Sequence, residues 1–455
     1  MAATAKKPKT EKVFDRFILG EDDRCHISTD TDETELNNNI LVVGGSGSGK
    51  TTSVVAPILL HLNNSNAIGI FTKRSMMDKM AYVLKKRGYT VRVMDFDDPS
   101  RSEYGFDPLS YCKSEGDVRS LAHSVIYQDI KKDNSKDPYW NISAENLLNV
   151  ILRYVWNGHY SKGRSMAAAL KLLDGVVWRT QKSSASSLDL FLEDDEDREK
   201  RIKQEEKELD ERYPTYFEMK RLEKADPGGN VFWRSFINLP QQTGASVVSC
   251  LQTPLRKMFN PEVRKILEKK EKIDFSEFLK PKQAVFLYIS PTSEAQHRYV
   301  SLFYRQIFKN LFELAEKQKD YALPYPAHII CDDFATGCKV NEFDELISIF
   351  REKRISVTLL LQSESQLVGI YGKNAATTII NNCDTYIYLG AMDLPTCENI
   401  SLRLDRELSE VLSMPVGTEY FFRRGKKPIV TKRYNLFLDP QYIRYFGDET
   451  NSKSR

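Results

Sequence analysis

The stretch Gly44-Gly45-Ser46-Gly47-Ser48-Gly49-Lys50-Thr51 constrains this chain more than any other. It fits the pattern G-x-x-x-x-G-K-[ST] without gap or substitution. Asn39-Ile40-Leu41-Val42-Val43 runs into it and reads as a buried parallel strand. Behind it, Val54, Val55, Ile58, Leu59 and Leu62 recur at helical spacing. Strand, glycine loop and helix form the context in which this pattern is a phosphate site. Glycines let backbone N–H groups close around phosphate oxygens, and the helix N-terminus adds partial positive charge. On this reading Gly44 to Lys50, with Thr51 and Thr52, bind a nucleotide. Lys50 reaches the β- and γ-phosphates, and the Thr51 hydroxyl is a ligand for Mg²⁺. The bland alternative is a Gly/Ser linker, which has no use for the Lys-Thr pair or for the apolar strand.

At 455 residues the chain has room for about three domains. A net charge of only +3 announces no global affinity for nucleic acid, so any basic surface is local. The seven cysteines form no C-x-x-C pair and the six histidines do not cluster with them, which argues against zinc. A nucleotide site points to a reducing, cytosolic setting. The first twelve residues are polar and carry lysines, unlike a signal peptide, and no window approaches eighteen uninterrupted apolar residues.

Strands and helices alternate from the phosphate loop onward. Ala67 to Thr72 and Val91 to Phe96 read as strands, with a basic helix ending near Gly88 between them. From about Ser114 to Pro240 the strand signal nearly vanishes. Leu147, Leu148, Ile151, Leu152 and Val155 make one helical face, and Met166 to Val177 holds another. Residues 193–212 are almost all charged, with both signs interleaved, and read as a solvated helical arm. Strands return at Ala284–Ile289, His328–Asp333, Ser356–Gln362 and Asp384–Leu389, with an edge strand or hairpin at Glu419–Phe422. Val300, Phe303, Ile307, Leu311 and Leu314 share one helical face, read as core. The fold class is therefore α/β, with a mainly parallel twisted sheet and an inserted all-α domain. The predicted boundaries are a lead-in at 1–35, the nucleotide-binding domain at 36–113 and 241–445, the insert at 114–240, and a tail at 446–455.

Hydrolysis needs a metal anchor and a group that orients water. Ile329-Ile330-Cys331-Asp332-Asp333 offers both at the end of an apolar strand, with Asp332 on Mg²⁺ and Asp333 polarising water. Gln362 ends the next apolar strand, where it can touch the γ-phosphate. Between them lies Phe343-Asp-Glu-Leu-Ile-Ser-Ile-Phe-Arg351-Glu-Lys-Arg354, which reads as one helix with Phe343, Leu346, Ile347 and Phe350 buried. Arg351 at its exposed end suits an arginine that stabilises transition-state charge on a neighbouring subunit. A surface ion pair is the competing reading.

Taken together, Cys331-Asp332-Asp333-Phe334-Ala335, Phe350-Arg351-Glu352-Lys353-Arg354 and Leu361-Gln362-Ser363-Glu364-Ser365-Gln366-Leu367 resemble the TraG-type coupling proteins of conjugation and type IV secretion. Asp137-Pro138-Tyr139-Trp140 and Pro261-Glu262-Val263-Arg264 support the resemblance, which extends over residues 36 to 440. It implies a RecA-like ATPase using ATP and Mg²⁺, with Lys50 and Thr51 in the phosphate loop and Asp332 anchoring the metal. Gln362 is the implied sensor, and Arg351 the arginine finger acting in trans within a hexamer. The implied partners are sequence-tolerant DNA, a relaxase with its relaxosome, and the secretion-channel ATPase, met at the cytoplasmic face of the membrane. Two departures stand out. The second acid is Asp333 where the family has Glu. The transmembrane helices that precede most such motors are not seen, so either a separate membrane-anchor protein is a partner or the chain is a soluble form.

Two other functions stay open. One is a cytosolic DNA translocase of the FtsK-like kind. The other is an ATP-gated adaptor that binds protein cargo with little hydrolysis. The segment Arg423-Arg424-Gly425-Lys426-Lys427, with Lys432-Arg433, is a candidate contact for the DNA backbone, or else a solvated hairpin.

Overall fold

A computed structural model of the chain describes residues 14–127, 138–176, 219, 230–334 and 339–450. The charged run 193–212 and Ala335 lie outside the described residues. The chain divides into two compact units. One comprises Met1–Tyr104, Ile273–Ser293 and Ile307–Arg455, and the other Gly105–Lys272 and Glu294–Gln306.

The first unit is built on a nine-stranded sheet. Its strands are β3 (Ile40–Val43), β4 (Asn66–Phe71), β5 (Thr90–Asp95), β6 (Gln283–Tyr288), β7 (Ala327–Cys331), β8 (Ile355–Leu361), β9 (Thr385–Tyr388), β10 (Thr418–Arg423) and β11 (Ile429–Lys432). A separate two-stranded sheet pairs β1 (Arg16–Ile18) with β2 (His26–Ser28). The order across the large sheet is β11-β10-β9-β3-β8-β7-β4-β6-β5. From β9 to β5 every pair is parallel, while β10 and β11 run antiparallel at one edge. All residues of β3, β4 and β8 are buried, as continuous apolar runs covered on both faces should be.

Polar residues pin the strand starts. The Asn39 carboxamide accepts from Val357 N–H at 3.1 Å and donates to Asn382 O at 2.9 Å, tying β3 to both its neighbours. Asn66 ties β4 to β6 and the turn before it, donating to Phe278 O and accepting from Gln283 N–H, both at 2.8 Å.

Two helices differ from the sequence expectation. The helix after the phosphate loop opens as a π turn over Thr51–Val55 before Ala56–His61. Pro57 has no N–H for the Ser53 carbonyl, so the regular ladder cannot pass it. The run from Phe343 to Arg354 is not one helix. An α turn at Phe343–Leu346 and a 3-10 turn at Ile347–Ile349 lead into turns, with Arg354 left-handed at φ 55°. Of the four positions expected to be buried, Phe343, Ile347 and Phe350 are, while Leu346 is only partly covered.

In the second unit the described elements are helices, including Glu115–Tyr127, Tyr139–Trp156, Met166–Asp174 and Gln241–Met258. The predicted face of Tyr139–Trp156 is buried throughout. Asp107 is wholly buried and organises this unit's entry. It accepts from the backbone N–H groups of Leu109 and Met166, each at 3.0 Å.

Candidate active site

Parallel strands carry their ligand loops at their C-terminal ends. Here four adjacent strands, β3, β8, β7 and β4, end side by side. The phosphate loop leaves β3, Gln362 follows β8, Asp332 and Asp333 follow β7, and Thr72 follows β4.

The loop is held at its root. Gly44 N–H bonds Leu361 O at 3.1 Å and Gly45 N–H bonds Gly390 O at 2.8 Å, one to each flanking strand end. A side chain on Gly44 would fall 2.5 Å from Ser48 Oγ, so the position has no room for one. Gly47 and Gly49 take φ values of 75° and 92°, the left-handed region that glycine adopts freely. The Lys50 ammonium is buried and donates to Gly44 O at 2.6 Å and Gly45 O at 3.2 Å. Burial holds its pKa below the ordinary lysine value, while Asp333 and Asp332 pull it back up. The Thr51 side chain is buried, and the Thr52 hydroxyl turns back onto Gly49 O at 3.1 Å.

Asp332 is buried at 5% exposure. Its carboxyl is pushed above the usual range by burial and then by the neighbouring Asp333 charge. Thr72 opposes that shift: its hydroxyl lies 2.9 Å from Asp332 Oδ2 and 3.3 Å from Asp333 Oδ2. Asp333 sits at φ 50°, an uncommon conformation for a residue with a side chain. Phe334 fixes the chain just beyond it. The ring is 2% exposed, stacks on Tyr371 with an interplanar angle of 11°, and packs on Phe343. Two carboxylates acting on a buried ammonium make a setting suited to a divalent cation and polyphosphate.

A model of the family described as type IV secretory system conjugative DNA transfer matches residues 3–406. The chain belongs to that family. Among solved structures, the conjugative coupling protein TrwBdeltaN70 with sulphate is 15% identical, with a TM-score of 0.56 over 87% of this chain and 85% of that one. TrwB in complex with ADP and Mg²⁺ gives 15% and 0.55 over the same shares. VirB4 of Thermoanaerobacter pseudethanolicus is 12% identical with a TM-score of 0.52, over 94% of this chain and 98% of that one. No curated protein matches. Likeness at such low identity shows the fold, the RecA-like nucleotide-binding architecture of the coupling proteins.

Within that architecture Gln362 stands between the phosphate loop and the acid pair. Its N–H is held by Gln366 Oε1 at 3.1 Å, and Ser363 caps the following helix by accepting from Gln366 N–H. Arg351 is not part of this cluster. It precedes β8, at the opposite end of the sheet, and donates to Thr31 O at 3.1 Å. Two residues at the cluster were not singled out in the sequence. Thr72 follows an unremarkable apolar strand, and only the β4–β7 pairing brings it to the acids. Arg433 was grouped with a basic segment, yet the structure lays its guanidinium on the phosphate loop. Arg433 Nη1 donates to Ser48 O and lies where a Gly49 side chain would project.

Proposed function

We propose that the chain is an ATP-hydrolysing coupling protein that drives DNA, delivered as a relaxase–DNA complex, toward a type IV secretion channel. The observation that carries this reading is the meeting of the Lys50 loop with Gln362, Asp332 and Asp333 on neighbouring strand ends, in a chain of the conjugative DNA transfer family.

Among the described residues no group of three or more His, Cys, Asp or Glu side chains could hold a metal unaided. The residues present suit Mg²⁺ accompanied by a nucleotide: Thr51 and Asp332 as protein ligands, with phosphate oxygens completing the set. Bound there, Mg²⁺ with ATP supplies the phosphoryl group and neutralises charge that develops on it. The chain's own residues do the rest. Lys50 leaves the Gly44 and Gly45 carbonyls for phosphate oxygens, Asp333 orients water, and Gln362 contacts the terminal phosphate. Arg433 braces the loop and binds nucleotide from its own chain. Arg351, remote from this cluster, acts on the site of a neighbouring copy, so full activity needs a ring, a homohexamer in this reading.

The helical unit, as an inserted domain, meets cargo and relaxosome. Among the described residues no helix is long and apolar enough to cross a membrane. In this reading the chain works at the cytoplasmic face, with a membrane-anchor protein and the channel ATPase as partners. DNA contacts are to the phosphate backbone, without base readout.

The test is ATP turnover with and without single- and double-stranded DNA, at low salt and across protein concentration. Turnover should rise with both DNA and protein. A flat rate indifferent to DNA would refute a DNA-coupled ring. One observation favours the adaptor reading: Asp333 is a methylene shorter than Glu and fixed by a left-handed backbone. If Asp333→Glu raises turnover greatly, the native site is a slow switch; unchanged turnover supports the motor.

A further inference from the structure

A second site lies at the far end of the sheet from the phosphate loop. Arg423 pairs with Thr385, the first residue of β9, and Thr385 pairs with Ile40, the first residue of β3. The phosphate loop leaves the other end of β3. At the Arg423 end a cavity of about 520 Å³ opens between the small β1–β2 sheet and the β10–β11 hairpin. Its lining includes apolar Ile27, Phe421 and Ile429 together with cationic Arg423, Lys426 and Lys427.

The cations around it are not equally committed. Arg24 is held by Asp22, with Nη2 2.6 Å from Oδ2, and His26 faces Asp23 at 3.4 Å. Arg424, beside the cavity, is drawn off to Asp384 at 3.2 Å. Lys426 and Lys427 are exposed on the hairpin turn and make no ion pair among the described residues. Arg423 Nη1 is buried with no hydrogen-bond partner among the described residues. A buried guanidinium nitrogen left unpaired costs free energy that a bound anion would return. The turn is shaped for this, because Gly425 at φ 73° lets Lys426 and Lys427 fold back beside Arg423.

We propose that this cavity binds a small phosphate ester, its phosphate on Arg423, Lys426 and Lys427 and its less polar body on Phe421, Ile27 and Ile429. Three cationic donors suit the terminal oxygens of a phosphate better than the two of a carboxylate. The volume holds a ligand the size of a mononucleotide or a phospholipid headgroup. This site is separate from the nucleotide site and does not depend on hydrolysis there.

Lysine acylation followed by mass spectrometry reads the site directly, since Lys426 and Lys427 report on the cavity and Lys85 and Lys373 on open surface. With pyrophosphate at twice its dissociation constant, acylation of Lys426 and Lys427 should slow about threefold. Lys85 and Lys373 should be unaffected. Arg423→Gln should remove the protection. If that variant fails to fold, Lys427→Ala on the exposed turn should weaken protection at Lys426. Phosphatidylcholine vesicles, with and without phosphatidylglycerol, separate the sources. Protection by pyrophosphate alone assigns a soluble phosphate ester, and added protection with phosphatidylglycerol assigns a lipid headgroup. The proposal is overturned if pyrophosphate fails to protect, whatever the vesicles do, or if it protects all four lysines alike. It is also overturned if a single-stranded oligonucleotide protects the cavity lysines only together with the remote pair, which would show an extended nucleic-acid face.

Discussion

The two ends of the large sheet use charge in opposite ways. At the C-terminal strand ends, burial shifts the ionisation of Lys50 and Asp332, and the Asp333 charge acts on both. At the other end Arg351 and the Arg423 cavity hold cations apart from any such cluster, on turns and on an edge hairpin. The first arrangement suits chemistry on a bound polyphosphate. The second suits docking, to a neighbouring copy at Arg351 and to a phosphate ester at Arg423.

Lys50→Ala should have the largest effect, lowering ATP turnover about a thousandfold or more because it removes the buried ammonium of the loop. Steady-state hydrolysis checks it, and residual turnover near wild type would show that the loop end is not catalytic. Arg351→Ala should cost about a thousandfold in assembled rings and nothing in dilute monomers. A loss already present in monomers would move this residue from the docking end to the catalytic one. Arg433→Ala should raise KM for ATP about tenfold with kcat little changed, the usual scale for one charged hydrogen bond. An equal fall in kcat would instead make Arg433 part of transition-state stabilisation.

Glu419 lies on β10 at the phosphate-loop end, one residue beyond the Tyr420–Tyr388 pair, and its test reads stability rather than turnover. Burial, aided by Glu21, pushes its carboxyl up to about 9. The folded chain therefore keeps a proton that the unfolded chain releases above the normal carboxylate range. Stability should fall as pH rises from about 5 toward 9, by about 1.4 kcal/mol per pH unit. Glu419→Gln should flatten that slope in denaturant titrations, and an unchanged slope would place the titrating group elsewhere.

Much of the first unit was legible in the sequence, because a parallel strand buried on both faces is an uninterrupted apolar run. Ile40 to Val43 and Ile355 to Leu361 are of this kind. Asp332 and Gln362 were legible for the same reason, as polar residues closing such runs. Thr72 and Arg433 were not, since their roles depend on which strands become neighbours. The stretch from Phe343 to Arg354 misled because α and 3-10 turns bury nearly the same positions. The backbone separates them, first at the 3-10 turn Ile347–Ile349 and then at left-handed Arg354. Pro57 was visible, and its effect on the ladder was the part not drawn from it.

The bond from Arg433 to Ser48 joins residues 385 positions apart, and both strands flanking β3 come from the last quarter of the chain. During synthesis the phosphate loop emerges about three hundred residues before β8 and gains neither neighbour until β8 and β9 have left the ribosome. Its brace arrives later still. A nascent chain halted before β8 thus carries the whole loop sequence without its supports.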